Sequence, residues 1–573
     1  MKRRDQKALI LASVILTLAV SETLGGCTPA KDPEVTTEES LQDTHPESSG
    51  EENSKTGGET GTDRGTSPEE NSENKAGSET ENGAGSETER ETGEEQKNVT
   101  PCKDYYKKES WGSPISPNVF CADPTAIEYN GRLYVFGTND QQQFDIGGPG
   151  SENTYEKIKS LVIYSSDDLI NWTYHGVLDV SKVAPWIYNS WAPSIVSRVE
   201  EDGLTHFYMY FSNTGAGVGV ITATDPLGPW TDPLGKPLIS GKTPGLGECP
   251  IPFDPGVCFD DEGRGWLTFG GGQASSGSEY MPGVARIVRL GEDMVSLDSE
   301  IAEIPAPYFN EASELNFMNG SWVYTYNTSW KDRTVWEDPE QPKPTTCSMV
   351  YMTSRDPLKK ESWTYRGEYF ANPGTFGMGW GNNHTHLQKF LDRYYLIYHC
   401  QIGLEKMNMK GGYRNLAVTL MNVDEETQTI EKGRGSIYAN YTQLKTADPY
   451  QTQPGAYFAT AAGIDYLYEG SPMKEVVGVR AAEDGAWTLV RGVDFGKEAP
   501  KSLQVTLSGS GSLELRVGSI ESAPVMTVPF SCEDAACVTT EIPSSASEAL
   551  SGEKDLFFVL TSGNTELRSW QFQ

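Results

Sequence analysis

Basic residues are in short supply: 46 Lys and Arg stand against 81 Asp and Glu, a formal net charge of −35. That balance argues against a nucleic-acid partner, which needs a basic stripe to neutralise phosphates. A neutral ligand such as a sugar polymer fits it better. Helical patterning is scarce as well, so folds that place a helix after every strand, the TIM barrel and the doubly wound sheet, fit poorly. The nine cysteines include no C-x-x-C pair and are scattered through strand-like segments, which weighs against a tetrahedral zinc site. Cys102 with Cys121 and Cys532 with Cys537 are the sequence-close candidates for bridging, although spacing does not determine connectivity.

A long hydrophobic run is missing too. The apolar stretch from Ala8 to Val20 is shorter than the roughly 20 residues that span a bilayer. It follows Lys2, Arg3, Arg4 and Lys7 and precedes Leu24-Gly25-Gly26-Cys27, so it reads as an export signal. The ending resembles the lipobox of bacterial lipoproteins. That implies cleavage before Cys27, lipidation of its thiol, and a protein anchored to the cell membrane outside the cytoplasm, with residues 1–27 as the signal. Residues 28–100 have almost no aromatic or large aliphatic side chains and are rich in Glu, Ser, Thr and Gly. Such a segment cannot offset its ordering entropy, and it reads as a disordered acidic tether.

What the chain does contain, from Pro101 on, is a recurring hairpin; a length of 573 residues leaves room for two or more compact units. Its first copy has Asp123 ahead of a strand, a turn at Asn130-Gly131 and a second strand through Arg132 to Thr138, a strong hairpin signal. Similar units begin at Pro193, Asp254, Glu311 and His384, with turns at Asp202-Gly203, Glu262-Gly263, Asn319-Gly320 and Asp392-Arg393. Each interval holds about four short strands, the content of a propeller blade. The expected fold is all-β: a five-bladed β-propeller over 101–445, followed by a β-sandwich of jelly-roll type over 446–573.

In a propeller, equivalent positions of successive blades converge on one mouth. Asp123, Asp254 and Glu311 then meet, and three crowded carboxylates suit chemistry better than structure. One can protonate a leaving glycosidic oxygen, one can activate water, and a third can raise the acid's pKa. The ordered segments Ala122-Asp123-Pro124, Trp191-Ala192-Pro193, Phe253-Asp254-Pro255, Asn310-Glu311-Ala312-Ser313 and Asn382-Asn383-His384 resemble glycoside hydrolase family 43. This family consists of inverting enzymes acting on arabinose- and xylose-containing polysaccharides.

The resemblance implies Asp123 as general base, Asp254 as pKa modulator and Glu311 as general acid, with Glu314 the competing acid. Arg414 resembles an arginine that reaches the active site, the alternative being a surface ion pair. Trp191 and Trp380 are candidates to stack on a sugar ring or simply to pack. His384 is implied to lie near the axis, a substrate contact and the candidate contact for a structural calcium, although calcium prefers oxygen ligands. No cofactor is required. His386 reads as a rim or packing residue. Ser194 stands where the family often has Asp after Trp-Ala-Pro, a departure bearing on substrate preference.

The carboxyl-terminal stretch Asp484 to Gly496, with Asp555-Leu556-Phe557-Phe558-Val559 and Trp570-Gln571-Phe572, resembles carbohydrate-binding module family 6. Where that module often offers a stacking tryptophan, this chain has Ser531-Cys532-Glu533-Asp534-Ala535-Ala536-Cys537, so a structural role stands beside sugar capture. The expected activity is exo-acting α-L-arabinofuranosidase or β-xylosidase on plant arabinoxylan. An endo-arabinanase and a non-catalytic glycan-binding lipoprotein are the alternatives.

Overall fold

The computed structural model describes residues 99–103, 107–115, 117–409 and 411–573. The signal, Cys27 and nearly all of the acidic tether lie outside the described residues.

Short strands joined by tight turns dominate. At Asn130-Gly131 both residues take positive φ, 53° and 72°, as a type I′ hairpin requires. The first sheet contains β1 (Ala122–Tyr129), β2 (Arg132–Thr138), β3 (Ser160–Ser166) and β4 (Trp172–Asp179). The second contains β5 (Trp191–Val199), β6 (Thr205–Ser212), β7 (Gly217–Ala223) and β8 (Ile239–Ser240). The third contains β9 (Gly256–Phe259), β10 (Gly265–Phe269), β11 (Arg286–Arg289) and β12 (Ala302–Glu303). The fourth contains β13 (Phe309–Met318), β14 (Ser321–Thr328), β15 (Met349–Ser354) and β16 (Thr364–Phe370). All pairings within these sheets are antiparallel. The first strands of the sheets neighbour one another in turn, the arrangement of a propeller.

The fifth repeat departs from expectation. It forms a sheet of three strands, β17 (Thr385–Phe390), β18 (Arg393–Cys400) and β19 (Asn415–Met421). Four four-stranded blades are therefore found where five were expected. The physical reason is that the free edge of β19 is already occupied. Ile115 N–H donates to Leu416 O at 2.9 Å, and the Asn440 side-chain amide pairs with both backbone groups of Leu420 at 2.8 and 3.0 Å. An edge satisfied in this way needs no further strand.

After the hairpin of β20 (Val423–Asp424) and β21 (Thr429–Ile430), the chain stays β-rich through β22 (Gln453–Pro454), β23 (Tyr457–Phe458), β24 (Thr460–Ala462), β25 (Ile464–Glu469), β26 (Met473–Ala481) and β27 (Ala486–Asp494). It ends with β28 (Ser502–Val517), β29 (Met526–Glu541), β30 (Glu553–Leu560) and β31 (Glu566–Phe572). Strand β28 pairs with β31 through its first half and with β30 through its second, and a buried core including Leu503, Leu515, Phe558 and Trp570 lies between. This is the behaviour of a strand shared by the two layers of a sandwich. The region also grips the first blade, because β26 pairs with β4 and Tyr466 packs edge-on against Tyr174 at 4.6 Å. Neither proposed cysteine pair is bridged: Cys121, Cys532 and Cys537 are thiols.

Candidate active site

The heads of the inner strands carry a shared backbone device. Asp123, Ala192, Asp254 and Ala312 have φ of 46°, 42°, 50° and 59°, left-handed conformations that non-glycine residues adopt at a cost of about 1–3 kcal/mol. Ladder register breaks at the same places, between Ala122 and Thr125, Trp191 and Ser194, and Glu311 and Glu314. Such bulges re-aim side chains beside active sites. The heads of these strands face a common pocket lined by Asp123, Tyr155, Trp191, Phe253, Asp254, Glu311, Asn382, His384 and Arg414.

All three predicted carboxylates thus meet in one place. One detail is corrected: Asp123 and Asp254 are themselves the left-handed residues, whereas in the fourth blade that residue is Ala312. Glu311 therefore sits one position earlier than the repeat suggested, equivalent to Trp191 rather than to Asp123.

Asp123 is the anchored acid. Its Oδ1 accepts from Arg414 Nη1 at 2.8 Å and lies 3.2 Å from His399 Nδ1 and 3.6 Å from His384 Nδ1. Burial alone would raise its pKa; the Arg414 guanidinium reverses this and holds the carboxyl well below the usual carboxylate range. Arg414 carries that effect, because burial pushes His384 down to about 3 and leaves its imidazole neutral. Asp254 accepts the Ala312 N–H through Oδ2 at 2.9 Å and the Ser212 hydroxyl through Oδ1 at 3.2 Å. Burial, then the charge of Asp123, raises its pKa. Glu311 is pushed upward by burial first, then by Asp254 and Asp123. One pocket therefore holds an ionised carboxylate and a carboxyl group that resists ionisation.

Arg414 is buried at 2% exposure, which removes the surface ion-pair reading. Trp191 lines the pocket with its indole fixed by an N–H bond to Tyr155 O at 3.1 Å. Trp380 does not line it: the residue is 54% exposed and its indole lies against Gly374. Glu314 is absent from the lining. It is buried behind it, with Oε1 3.2 Å from His386 Nδ1, so His386 is the partner of a buried acid rather than a rim residue.

For calcium at His384, the carboxylate 3.6 Å from Nδ1 is Asp123, which already faces the Arg414 guanidinium. Among the described residues no group of three His, Cys, Asp or Glu side chains is placed to hold a metal ion. A calcium ion takes about six to eight oxygen ligands, and these side chains do not by themselves make such a site.

Sequence reasoning missed Asp140, Tyr155 and His399. Asp140 and Tyr155 lie in the connection between β2 and β3, which has no strand pattern to flag it, and His399 read only as the end of a strand. Its Nε2 lies 2.8 Å from Asn382 O, so Nδ1 is left to accept the Asp123 N–H at 3.1 Å.

A propeller that brings together a carboxylate paired with a guanidinium and two buried carboxyl groups whose ionisation burial opposes has the equipment of an enzyme that hydrolyses glycosidic bonds. The chain belongs to glycosyl hydrolases family 43, whose family model matches residues 111–427. It is a glycoside hydrolase. It is 32% identical over 487 residues to the arabinoxylan arabinofuranohydrolase of Bacillus subtilis (strain 168), covering 80% of this chain and 92% of that one. Identity to the arabinoxylan arabinofuranohydrolase of Paenibacillus polymyxa is 31% over 483 residues, 80% and 74% of the two chains. The crystal structure of the family 43 arabinoxylan arabinofuranohydrolase from Bacillus subtilis in complex with cellotetraose is similar with a TM-score of 0.74 and 29% identity, covering 82% of this chain and 99% of that chain.

Proposed function

We propose that this protein is an exo-acting hydrolase that removes arabinofuranose, or xylose, from arabinoxylan with inversion at the anomeric carbon. The observation that carries this reading is the convergence of Asp123, Asp254 and Glu311 on one pocket, with Asp123 bonded to the buried Arg414 guanidinium at 2.8 Å and Glu311 free of any cation partner in the pocket lining other than Arg414, and the similarity to two arabinoxylan arabinofuranohydrolases supports the substrate class. Glu311, neutral before reaction, donates its proton to the glycosidic oxygen as the bond to the anomeric carbon breaks. Asp123 takes a proton from the water that attacks the opposite face of that carbon. Asp254 tunes and orients Glu311 through its charge and its hold on Ala312. Trp191 and Phe253 supply apolar walls for the sugar ring, and Arg414 and His384 line the same pocket. Glu314 is set aside as the acid because it faces His386 outside the pocket.

The test is sugar release from arabinoxylan, arabinan and xylo-oligosaccharides by the chain and by Asp123→Ala, Glu311→Gln and Glu314→Gln, with the released anomer followed by NMR. Inverted product and loss of activity in the first two variants alone are expected. An active Glu311→Gln with an inactive Glu314→Gln overturns the acid assignment, and a retained anomer overturns the base. Internal cleavage of arabinan would favour the endo-arabinanase, and glycan binding without release the non-catalytic lipoprotein.

Two further parts of the reading are proposals of the same kind. The sequence Leu24-Gly25-Gly26-Cys27 supports a lipid anchor outside the cytoplasm; Cys27→Ser should move the protein from the membrane to the soluble fraction. The carboxyl-terminal strands support a module of the family 6 carbohydrate-binding type, and retention of the chain on immobilised xylan when the pocket is inactivated by Asp123→Ala tests whether it captures polymer.

A further inference from the structure

Behind Arg414 stands a carboxylate that the mechanism so far does not use. Asp140, the first residue of α1 (Asp140–Gly147), is fully buried. Its Oδ1 accepts from Arg414 Nη2 at 2.9 Å, and its Oδ2 accepts from Arg414 Nε at 2.9 Å and from the Arg414 backbone N–H at 3.1 Å. That is a two-point grip on one edge of a planar group, and it leaves the other edge to present Nη1 to Asp123 Oδ1 at 2.8 Å. Gripped in this way, the guanidinium cannot rotate without breaking the fork. Tyr155 covers its face, with the cation 5.0 Å from the ring centroid.

The grip is itself braced. Asn139 caps α1 by accepting the Gln142 N–H at 3.2 Å and donates to Ser160 Oγ at 2.9 Å. Across the junction, Ser151 Oγ and Tyr413 OH lie 2.6 Å apart and the Asn153 N–H donates to Gly411 O at 2.7 Å. The connection between β2 and β3 in the first blade is thereby fastened to the segment of the last sheet that carries Arg414. The charged and titratable groups around the pair are Asp123, Asp254, Glu311, His384, His399, Tyr155 and Cys121, and Arg414 is the one fixed cation among them.

We propose that Asp140 is a positioning residue for the hydrolysis, aiming Arg414 at Asp123 and so holding the general base in its working place. Asp140 does not line the pocket, so it acts through Arg414 and not on the substrate. The inference rests on the reading of Asp123 as the base.

The experiment measures kcat and KM on para-nitrophenyl α-L-arabinofuranoside for the full chain, Asp140→Asn, Asp140→Glu, Arg414→Met, the double variant Asp140→Asn/Arg414→Met, and Asp123→Ala, with circular dichroism on each. Asp140→Asn should lower kcat about 10- to 100-fold, the loss expected when a catalytic group is misplaced by about an ångström, and Asp140→Glu should recover part of it. In Arg414→Met the Asp140 carboxylate is buried with no counter-ion, so adding Asp140→Asn there should cost nothing further or restore some activity. A purely structural role would instead give the same loss in both backgrounds, and that result overturns the proposal, as does a kcat for Asp140→Asn within about twofold of the parent. Should Asp140→Asn fail to fold, a parental kcat for Asp140→Glu, whose fork is displaced by one methylene, overturns it equally, and a reduced one supports it. An active Asp123→Ala defeats the base reading itself, whereas an inactive Asp123→Ala beside a parental Asp140→Asn defeats only the role of Asp140.

Discussion

Asp254 Oδ2 accepts the backbone N–H of Ala312 at 2.9 Å, so a carboxylate of the third blade secures the left-handed residue beside Glu311 in the fourth. Elsewhere on the ring the equivalent N–H is met by a side chain at the end of the preceding blade's second strand. Thr138 Oγ1 serves Ala192 at 2.8 Å, Ser212 Oγ serves Asp254 at 2.8 Å, and His399 Nδ1 serves Asp123 at 3.1 Å. In the third blade that position is Gly270, which has no side chain to offer; its N–H bonds Phe253 O at 2.9 Å as the ladder continues. Asp254 fills the gap. Its place is thus fixed by the same bond that shapes the turn after Glu311.

Replacing Asp254 by Asn should separate its two duties. The amide oxygen can still accept the Ala312 N–H, but the charge that helps keep Glu311 protonated is gone. The pKa of Glu311, raised by burial and then by Asp254, should fall. With Glu311 as the proposed general acid, the alkaline limb of the kcat profile should move to lower pH, with a loss of about 10- to 100-fold at neutral pH. An alkaline limb that stays in place would show that burial and Asp123 tune the acid without help from Asp254.

Glu311 should also tax stability. A carboxyl whose folded pKa lies above its unfolded one binds more protons folded than unfolded, so its contribution is fully present below the unfolded pKa and is lost as pH rises through the folded one. Glu311 is raised in this sense. Glu311→Gln should therefore melt at or above the parent temperature, with the difference growing from mildly acid to mildly alkaline pH. Melting curves across that range check it; a parallel pair of curves would mean that Glu311 ionises in the fold as freely as in the unfolded chain.

How much of this was legible in the residues depends on what each one does. The turn at Asn130-Gly131 and the acids Asp123 and Asp254 were readable because a hairpin with a carboxylate at its head is a local pattern that repeats. The one-residue offset of Glu311 was not, because it depends on which residue turns left-handed, a matter settled by the amide's partner in a neighbouring blade. Arg414 was found through family resemblance, while Asp140 stayed hidden: it opens a short helix in a long connection, and its meaning lies in a residue almost three hundred positions away. The short fifth sheet escaped for a similar reason, since the groups closing β19 come from Ile115 and Asn440, outside the repeat.

The two tryptophans singled out from the sequence should behave differently. Trp191 lines the pocket and is held by Tyr155, whereas Trp380 stands outside it. Trp191→Ala should raise KM for para-nitrophenyl α-L-arabinofuranoside about tenfold or more, the effect of losing an aromatic wall of about 1.5–3 kcal/mol, and Trp380→Ala should change it less than about threefold. Equal effects on this small substrate would mean that the pocket closes over Trp380 when sugar binds.

The pairing of β4 with β26 carries the last prediction. Gly176 opposes Glu475 in that ladder with φ 109°, and a Cβ on it would lie 2.0 Å from Lys474 O, on backbone that cannot give way cheaply. Gly176→Ala therefore strains its own backbone and pushes β26 off β4. Behind this seam, Tyr174 packs on Tyr466, and Tyr466 and Val476 lean on the core that contains Trp172. Because β26 also pairs with β31, the disturbance reaches the strands of the carboxyl-terminal region. A cost above about 2 kcal/mol is expected, in the range set by steric clash and conformational strain. If the seam makes the propeller and that region one cooperative unit, calorimetry of the parent should show one transition, which Gly176→Ala lowers as a whole. Two transitions, with only one moved by the substitution, would show that the regions fold independently and that β26 is an attachment rather than part of the first blade's stability.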